Sequence, residues 1–240
     1  MIPHIIHQMA RTKDLTWEEA RLLKRNRKVM PDWQFNLWTN QDQLRLVEEH
    51  FPQFAEQHAA IRFGVARTDI VKYVCMHAFG GFYVDTDYKF FRALDARVVT
   101  PRCVIASEGA DPQKGPKDPT YLGLGSAMMG SEPGYPFWAQ LLAHIFEHNR
   151  PETLVQSEDI IESTGPEVMT RFFMAHREEF ADILLLDKNA FFPDLSHLGT
   201  RTSATADTYG VHLYWGSWRN KSLNIALRTQ VRRKLNGLLA

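Results

Sequence analysis

Apolar positions along the chain switch between the alternation of strands and the three-and-four spacing of helices. Ile2 to His7 reads as a short buried strand, and Thr16 followed three residues later by Glu19 is a capping-box signal that opens a helix through about Lys28. Trp33 to Thr39 alternates as a strand does, Gln41 to His50 reads as a helix, and Phe54 to Phe79 predicts one or two helices ending at Gly80-Gly81. A strand, Phe82 to Val84, follows at once. Cys103 to Ala106 and Tyr121 to Met129 read as strands; between them Asp111 to Pro119, with three prolines and a glycine, predicts an exposed loop able to serve as a lid. Pro136 to His148 has an amphipathic helical pattern. Thr164-Gly165-Pro166-Glu167 offers a cap, a first-turn proline and a capping-box acid to the next helix. Ile183 to Leu186 and Tyr209 to Tyr214 complete the strands, and Ser222 to Leu239 reads as a closing helix. Strands interleaved with helices predict an α/β fold, a sheet layered by helices, and no repeat or linker divides residues 1–240.

Composition narrows the function classes. Hydrophobic residues at 44% and charged residues at 23% exclude disordered and low-complexity chains. The 28 basic residues balance 28 acidic ones, so no global field draws the chain to nucleic acid. Two cysteines, Cys75 and Cys103, are too few for a disulfide framework; they are expected to pack in the core and suit a reducing compartment. The opening MIPHIIHQMAR lacks a basic leader, and no uncharged run approaches the roughly 20 apolar residues of a membrane span. A cytoplasmic location is expected, with peripheral contact at the inner membrane face through the basic segment 219–240. That segment holds six basic residues and no acid, and a core-packed helix with a solvated cationic face fits the pattern equally well.

The chemistry concentrates between Ala66 and Asp87, in ARTDIVKYVCMHAFGGFYVDTD. On an extended chain residues one apart point the same way, so Asp85 and Asp87 can address one site beyond the strand end. Two such carboxylates call for a hard divalent cation, Mn²⁺ or Mg²⁺, whose shell is completed by phosphate oxygens and water; that is a diphosphate-binding arrangement. A bare DxD also occurs as a solvated turn after a strand. Here an apolar strand leads in, Gly80-Gly81 permits a tight reversal, and a helix carrying Thr68, Asp69, Lys72 and Tyr73 comes before it. Tyr88 and Lys89 after the acids exclude the haloacid-dehalogenase pattern. Ligands of α/β sheets collect beyond the carboxyl ends of strands, so Gln8, beside His7 at the end of the first strand, is expected to flank a nucleotide.

These motifs resemble glycosyltransferase family 32, the DXD-containing sugar transferases. The likeness runs from IPHIIHQ through PDWQFNLWT to TDIVKY…GGFYVDTD, then to STGP at Ser163–Pro166 and HLYWGSW at His212–Trp218. It implies a single GT-A, Rossmann-like domain that binds a UDP- or GDP-linked sugar and uses Mn²⁺ (or Mg²⁺) to move a hexose, with retention, to a saccharide or lipid-linked acceptor in polysaccharide or lipopolysaccharide synthesis. By position it implies that Asp85 contacts the donor ribose or sugar, Asp87 ligates the metal, Asp69 bonds donor-sugar hydroxyls, Thr68, Lys72 and Tyr73 of the preceding helix contact the donor, and His212 is a third metal contact. Ser217 and Trp218 resemble the family's closing element over the diphosphate. Two residues depart from the pattern: Lys72 stands for the family's Arg, and Ser126 stands where relatives often carry Asn facing the donor or acceptor. Two alternatives accompany this reading, a protein-modifying glucosyltransferase effector and a non-catalytic nucleotide-sugar-binding protein.

Overall fold

The computed structural model describes residues 1–109, 122–155, 159–194 and 203–215. The expected lid at 111–119, Ser217, Trp218 and the basic segment 219–240 lie outside the described residues. In chain order the strands are β1 (Ile5–Met9), β2 (Gln34–Trp38), β3 (Gly81–Val84), β4 (Tyr88–Phe90), β5 (Cys103–Ser107), β6 (Leu124–Ser131), β7 (Leu184–Leu186) and β8 (Gly210–His212). The α-helices are α1 (Trp17–Val29), α2 (Asn40–His50), α3 (Ala55–Ala60), α4 (Gly64–Phe79), α5 (Ala96–Val99), α6 (Pro136–His144), α7 (Ile160–Ser163), α8 (Pro166–Ala175) and α9 (Lys188–Phe191).

Six strands form a mixed sheet in the order β2-β1-β3-β6-β5-β7, while β4 and β8 pair as a small antiparallel sheet of their own. The parallel half, β2-β1-β3, is built by the crossovers through α1 and through α2–α4. One face of the sheet carries a core of Val47, Ile70, Tyr73, Met129, Trp138 and Phe172, and the other a core of Ile6, Phe82, Val84, Tyr88, Val104 and Phe191. Burial of such aromatic and branched side chains is the main stabilising term. Cys75 and Cys103 sit unpaired inside, where burial pushes both thiols up. No helix among the described residues is long and apolar enough to cross a membrane.

Two local features position the site. The Thr16–Glu19 capping box forms as the sequence predicts, with Glu19 accepting from the Thr16 amide at 2.9 Å. Between α4 and β3 the chain reverses through Gly80 and Gly81, both in the left-handed region at φ 63° and 80°. A Cβ on Gly81 would lie 2.5 Å from the Ile5 carbonyl oxygen, so only glycine lets β3 come alongside β1 there. The TGP motif is a correction. The N-cap of α8 is Gly165 with Pro166 in the first turn, and Thr164 turns inward instead of capping.

Candidate active site

β3 ends at Val84, and the next residues bridge the two sheets. The Asp85 amide donates to the Ala127 carbonyl at 2.9 Å, and the register of the small sheet sets Tyr88 opposite His212. Asp85 and Asp87 therefore leave the large sheet just where β8 delivers His212. Nε2 of His212 is 3.1 Å from Asp87 Oδ1 and 3.6 Å from Asp85 Oδ2, and one ligating atom from each of the three residues falls within 4.8 Å of the others. Tyr83 donates to Asp85 Oδ1 at 2.6 Å, and the Trp215 amide donates to Asp87 Oδ2 at 2.7 Å.

Electrostatics separate the two acids. Burial, with the Asp87 charge beside it, raises the Asp85 carboxyl to about 6 against the pull of His212. Burial opposes ionisation of Asp87 as well, but His212 and the Trp215 amide outweigh it and hold that carboxyl below its ordinary range. For His212 the desolvation of the ring is overcome by Asp87, Glu108 and Asp85, which raise its pKa well above the usual imidazole value. Its Nδ1 is buried without a hydrogen-bond partner, with Glu108 Oε1 3.9 Å away.

A second polar group lines the same cleft, whose volume is about 880 Å³. Lys72 Nζ lies 2.6 Å from Asp69 Oδ1 and donates to Ser126 Oγ at 2.9 Å, and Thr164 Oγ1 donates to Asp69 Oδ2 at 3.0 Å. Thr68 is on the cleft wall too, its hydroxyl accepting from Gln43 at 3.1 Å. Arg11, Arg67, Glu108 and Tyr214 complete the lip.

Two expected ligand contacts stand behind the cleft. β1 runs on to Met9, and Gln8 is buried with its Nε2 donating to the Asp85 carbonyl at 3.3 Å, so it holds the acid's backbone and is not among the residues that line the cleft. Tyr73 is fully buried, stacks on Trp138 at 5.9 Å, and donates to the Thr164 carbonyl at 3.0 Å. It anchors the TGP turn that presents Thr164 to Asp69. His7 belongs to the core: the Trp38 indole donates to its Nδ1 at 3.0 Å, so Nε2 carries the proton and donates to the Gly80 carbonyl at 3.0 Å. Sequence reasoning gave no site role to Tyr83, Glu108, Thr164 or Trp215, although Thr164 and Trp215 lie inside the STGP and HLYWGSW motifs. Of these only Tyr83, two residues before Asp85 on one strand face, had a periodic signal.

The donor set suits a divalent cation. It offers two carboxylate oxygens and an imidazole nitrogen, and a ligating ring must shed its Nε2 proton, leaving an Nδ1–H aimed toward the Glu108 carboxylate. Mn²⁺ and Mg²⁺ accept such hard ligands.

This is the GT-A glycosyltransferase fold. The domain superposes on the PaToxG glycosyltransferase with a TM-score of 0.53 at 14% identity, covering 74% of this chain and 70% of that one. It superposes equally, at 0.53 and 10% identity, on the ligand-free glycosyltransferase domain of the YGT toxin, covering 77% of this chain and 80% of that domain. Residues 17–103 match the model of the family described as the glycosyltransferase sugar-binding region containing DXD motif. That segment holds Asp69, Lys72, Asp85 and Asp87, while His212 comes from outside it. Among curated relatives, the mannosyl phosphorylinositol ceramide synthase SUR1 of Saccharomyces cerevisiae is 27% identical over 69% of this chain and 40% of its own length. The inositol phosphoceramide mannosyltransferase 2 of Schizosaccharomyces pombe is 26% identical over 95% of this chain and 61% of its own. The chain thus spans about half the length of these relatives.

Proposed function

We propose that this chain is a metal-dependent, retaining mannosyltransferase that moves the sugar of a nucleotide-diphosphate donor onto a glycolipid acceptor. The observation that carries the reading is the convergence of Asp85, Asp87 and His212 on one point of an open cleft in a GT-A fold. The names of the two fungal relatives support mannose as the sugar and a phosphoinositol-bearing lipid as the acceptor class.

Asp85, Asp87 and His212 would hold Mn²⁺ or Mg²⁺, which when bound supplies Lewis-acid stabilisation of the departing diphosphate. Asp69, fixed from two sides by Lys72 and Thr164, keeps an orientation in which its carboxylate accepts from donor-sugar hydroxyls. Arg11 and Arg67 on the lip complement the donor's phosphate charge. Transfer with retention then proceeds on one face of the sugar: the anomeric C–O bond breaks, the acceptor oxygen bonds to that carbon, and its proton passes to the leaving diphosphate. Ser217 and Trp218 are assigned to closing the donor site by family position alone.

The test incubates purified protein with UDP- and GDP-linked hexoses, with or without a phosphoinositol-ceramide acceptor, in Mn²⁺ or in EDTA. Release of nucleoside diphosphate and appearance of labelled mannose in the lipid phase, both abolished by EDTA, are expected. Donor-dependent thermal stabilisation without product under any acceptor condition would make the protein a binding module instead, and sugar attached to protein substrates would make it an effector.

A further inference from the structure

α1 stands beside the cleft, and its two faces differ sharply. The inner face is fully employed. Leu22 packs with Val211, Leu213 and Trp215, Asn26 donates to the Tyr88 carbonyl at 2.8 Å and accepts from the Phe90 amide at 3.1 Å, and Arg25 donates to the Phe90 carbonyl. The helix is thereby clamped to the small sheet that carries His212 and begins directly after Asp87.

On the outer face Trp17, Arg21, Lys24 and Lys28 follow the i, i+4, i+7, i+11 spacing of a single helical stripe, and all four are exposed. Trp17 is 57% exposed, a large apolar ring held outward with the Arg21 guanidinium 5.3 Å from its centroid. Beside this stripe runs an open groove of about 910 Å³ lined by Lys13, Leu15, Leu23, Lys24, Arg27 and Lys28. Asp14 and Leu15 border both this groove and the catalytic cleft, so the two share a wall. Residues 11–28 hold seven basic residues and three acids in a chain whose total charge is zero. Of those acids Glu19 is turned back into the capping box.

An exposed indole with Lys and Arg around it, on a helix whose apolar side is already buried in protein, matches the boundary between lipid headgroups and acyl chains, where an aromatic ring is half immersed and cations meet anionic phosphates. We propose that the outer face of α1, with the adjoining groove, is a docking surface for an anionic lipid bilayer, and that it sets the cleft mouth at the level of the headgroups. The inference extends the proposed function, since a lipid-borne acceptor would meet the cleft there, but the docking itself requires neither donor nor metal.

The experiment is co-sedimentation of the full chain with vesicles of phosphatidylcholine alone or with about 30 mol% phosphatidylserine, without donor or metal, so that the outcome is independent of any transferase activity. Selective binding to the anionic vesicles is expected. Lys24→Gln/Lys28→Gln should lower the partition coefficient on the order of 25-fold at low salt, about fivefold per cation, with the deficit vanishing at high salt. Trp17→Ala should weaken binding at every salt concentration. Melting temperatures of both variants should match the parent, since neither touches a buried partner. Three results would overturn the proposal. The first is anionic-vesicle binding that survives both variants. The second is binding abolished instead by Arg232→Gln/Arg233→Gln/Lys234→Gln. The third is an oligonucleotide retained through Lys24 and Lys28 while vesicles are not.

Discussion

The cleft is lined by two polar clusters, and they differ in whether protein alone completes them. Asp69, Lys72, Ser126 and Thr164 form a closed set: one anion meets one cation, and both hydroxyls are engaged. Asp85, Asp87 and His212 crowd two acids onto one imidazole, leave Asp85 raised to about 6, and keep Nδ1 of the histidine without a hydrogen-bond partner. Buried polar groups are costly unless satisfied, so the first cluster is a finished wall whose shape owes nothing to a ligand. The second is an electrostatic deficit that a divalent cation would fill. Under the proposed function, rigid recognition and metal-dependent chemistry would fall on different walls of one cavity.

The largest effect that would break this contrast falls on stability. Lys72→Met strands a buried carboxylate and should cost about 3–5 kcal/mol in urea unfolding, while Asp69→Leu/Lys72→Met should recover most of that loss. A small loss from the single variant would mean the wall is not closed. Asp87→Asn should behave the opposite way, lowering transfer by about 10²–10³-fold while the protein keeps its melting temperature to within a few degrees. Next is Thr164→Val, which removes a hydrogen bond to a charged, buried acceptor and should destabilise by about 1.5–3 kcal/mol, with the fall in donor affinity read by titration.

A subtler probe lies behind the cleft. Burial lowers the pKa of His7 to about 4, below the 6.5 of an unfolded histidine. The unfolded chain therefore binds more protons across that window, and stability falls as pH drops from 6.5 toward 4; the share due to His7 is about 2 kcal/mol by pH 5. Denaturation curves at pH 7 and pH 5 should lie closer together in His7→Gln than in the parent. Smallest is Thr16→Ala, which breaks the capping box of α1 and should cost about 1 kcal/mol by urea unfolding.

Local rules recovered what is local. The α1 capping box is visible from Thr16 and Glu19 alone, and the shared direction of Asp85 and Asp87 follows from the strand period. The crossovers follow from the order of predicted elements. Rules of this kind fail where a residue answers to a distant partner. Thr164 before Gly-Pro reads as a cap, but its hydroxyl goes to a carboxylate 95 residues earlier in the chain. Helical spacing sets Tyr73 on the same flank as Asp69, and only the packing of Trp138 and the TGP turn draws its ring into the core. Gln8 was expected at a strand end, but pairing of β1 with β2 continues through Met9 and leaves it behind Asp85. Short elements such as β4 and α9 gave no periodic signal, being three and four residues long. Nothing in one sequence marks Glu108, whose place beside His212 is a product of tertiary packing.

Asp87 and His212 are 125 positions apart, and the small sheet that joins them has just three residue pairs. On a ribosome adding roughly 5–20 residues per second, Asp87 waits on the order of ten seconds before its partner is made. β1, β2 and β3 are made before Asp87, and β5, β6 and β7 follow during that interval, so every strand of the large sheet precedes His212 and the scaffold can consolidate while the chemistry is still missing. The order of synthesis thus delays assembly of an acidic, cation-seeking centre until the walls around it have formed.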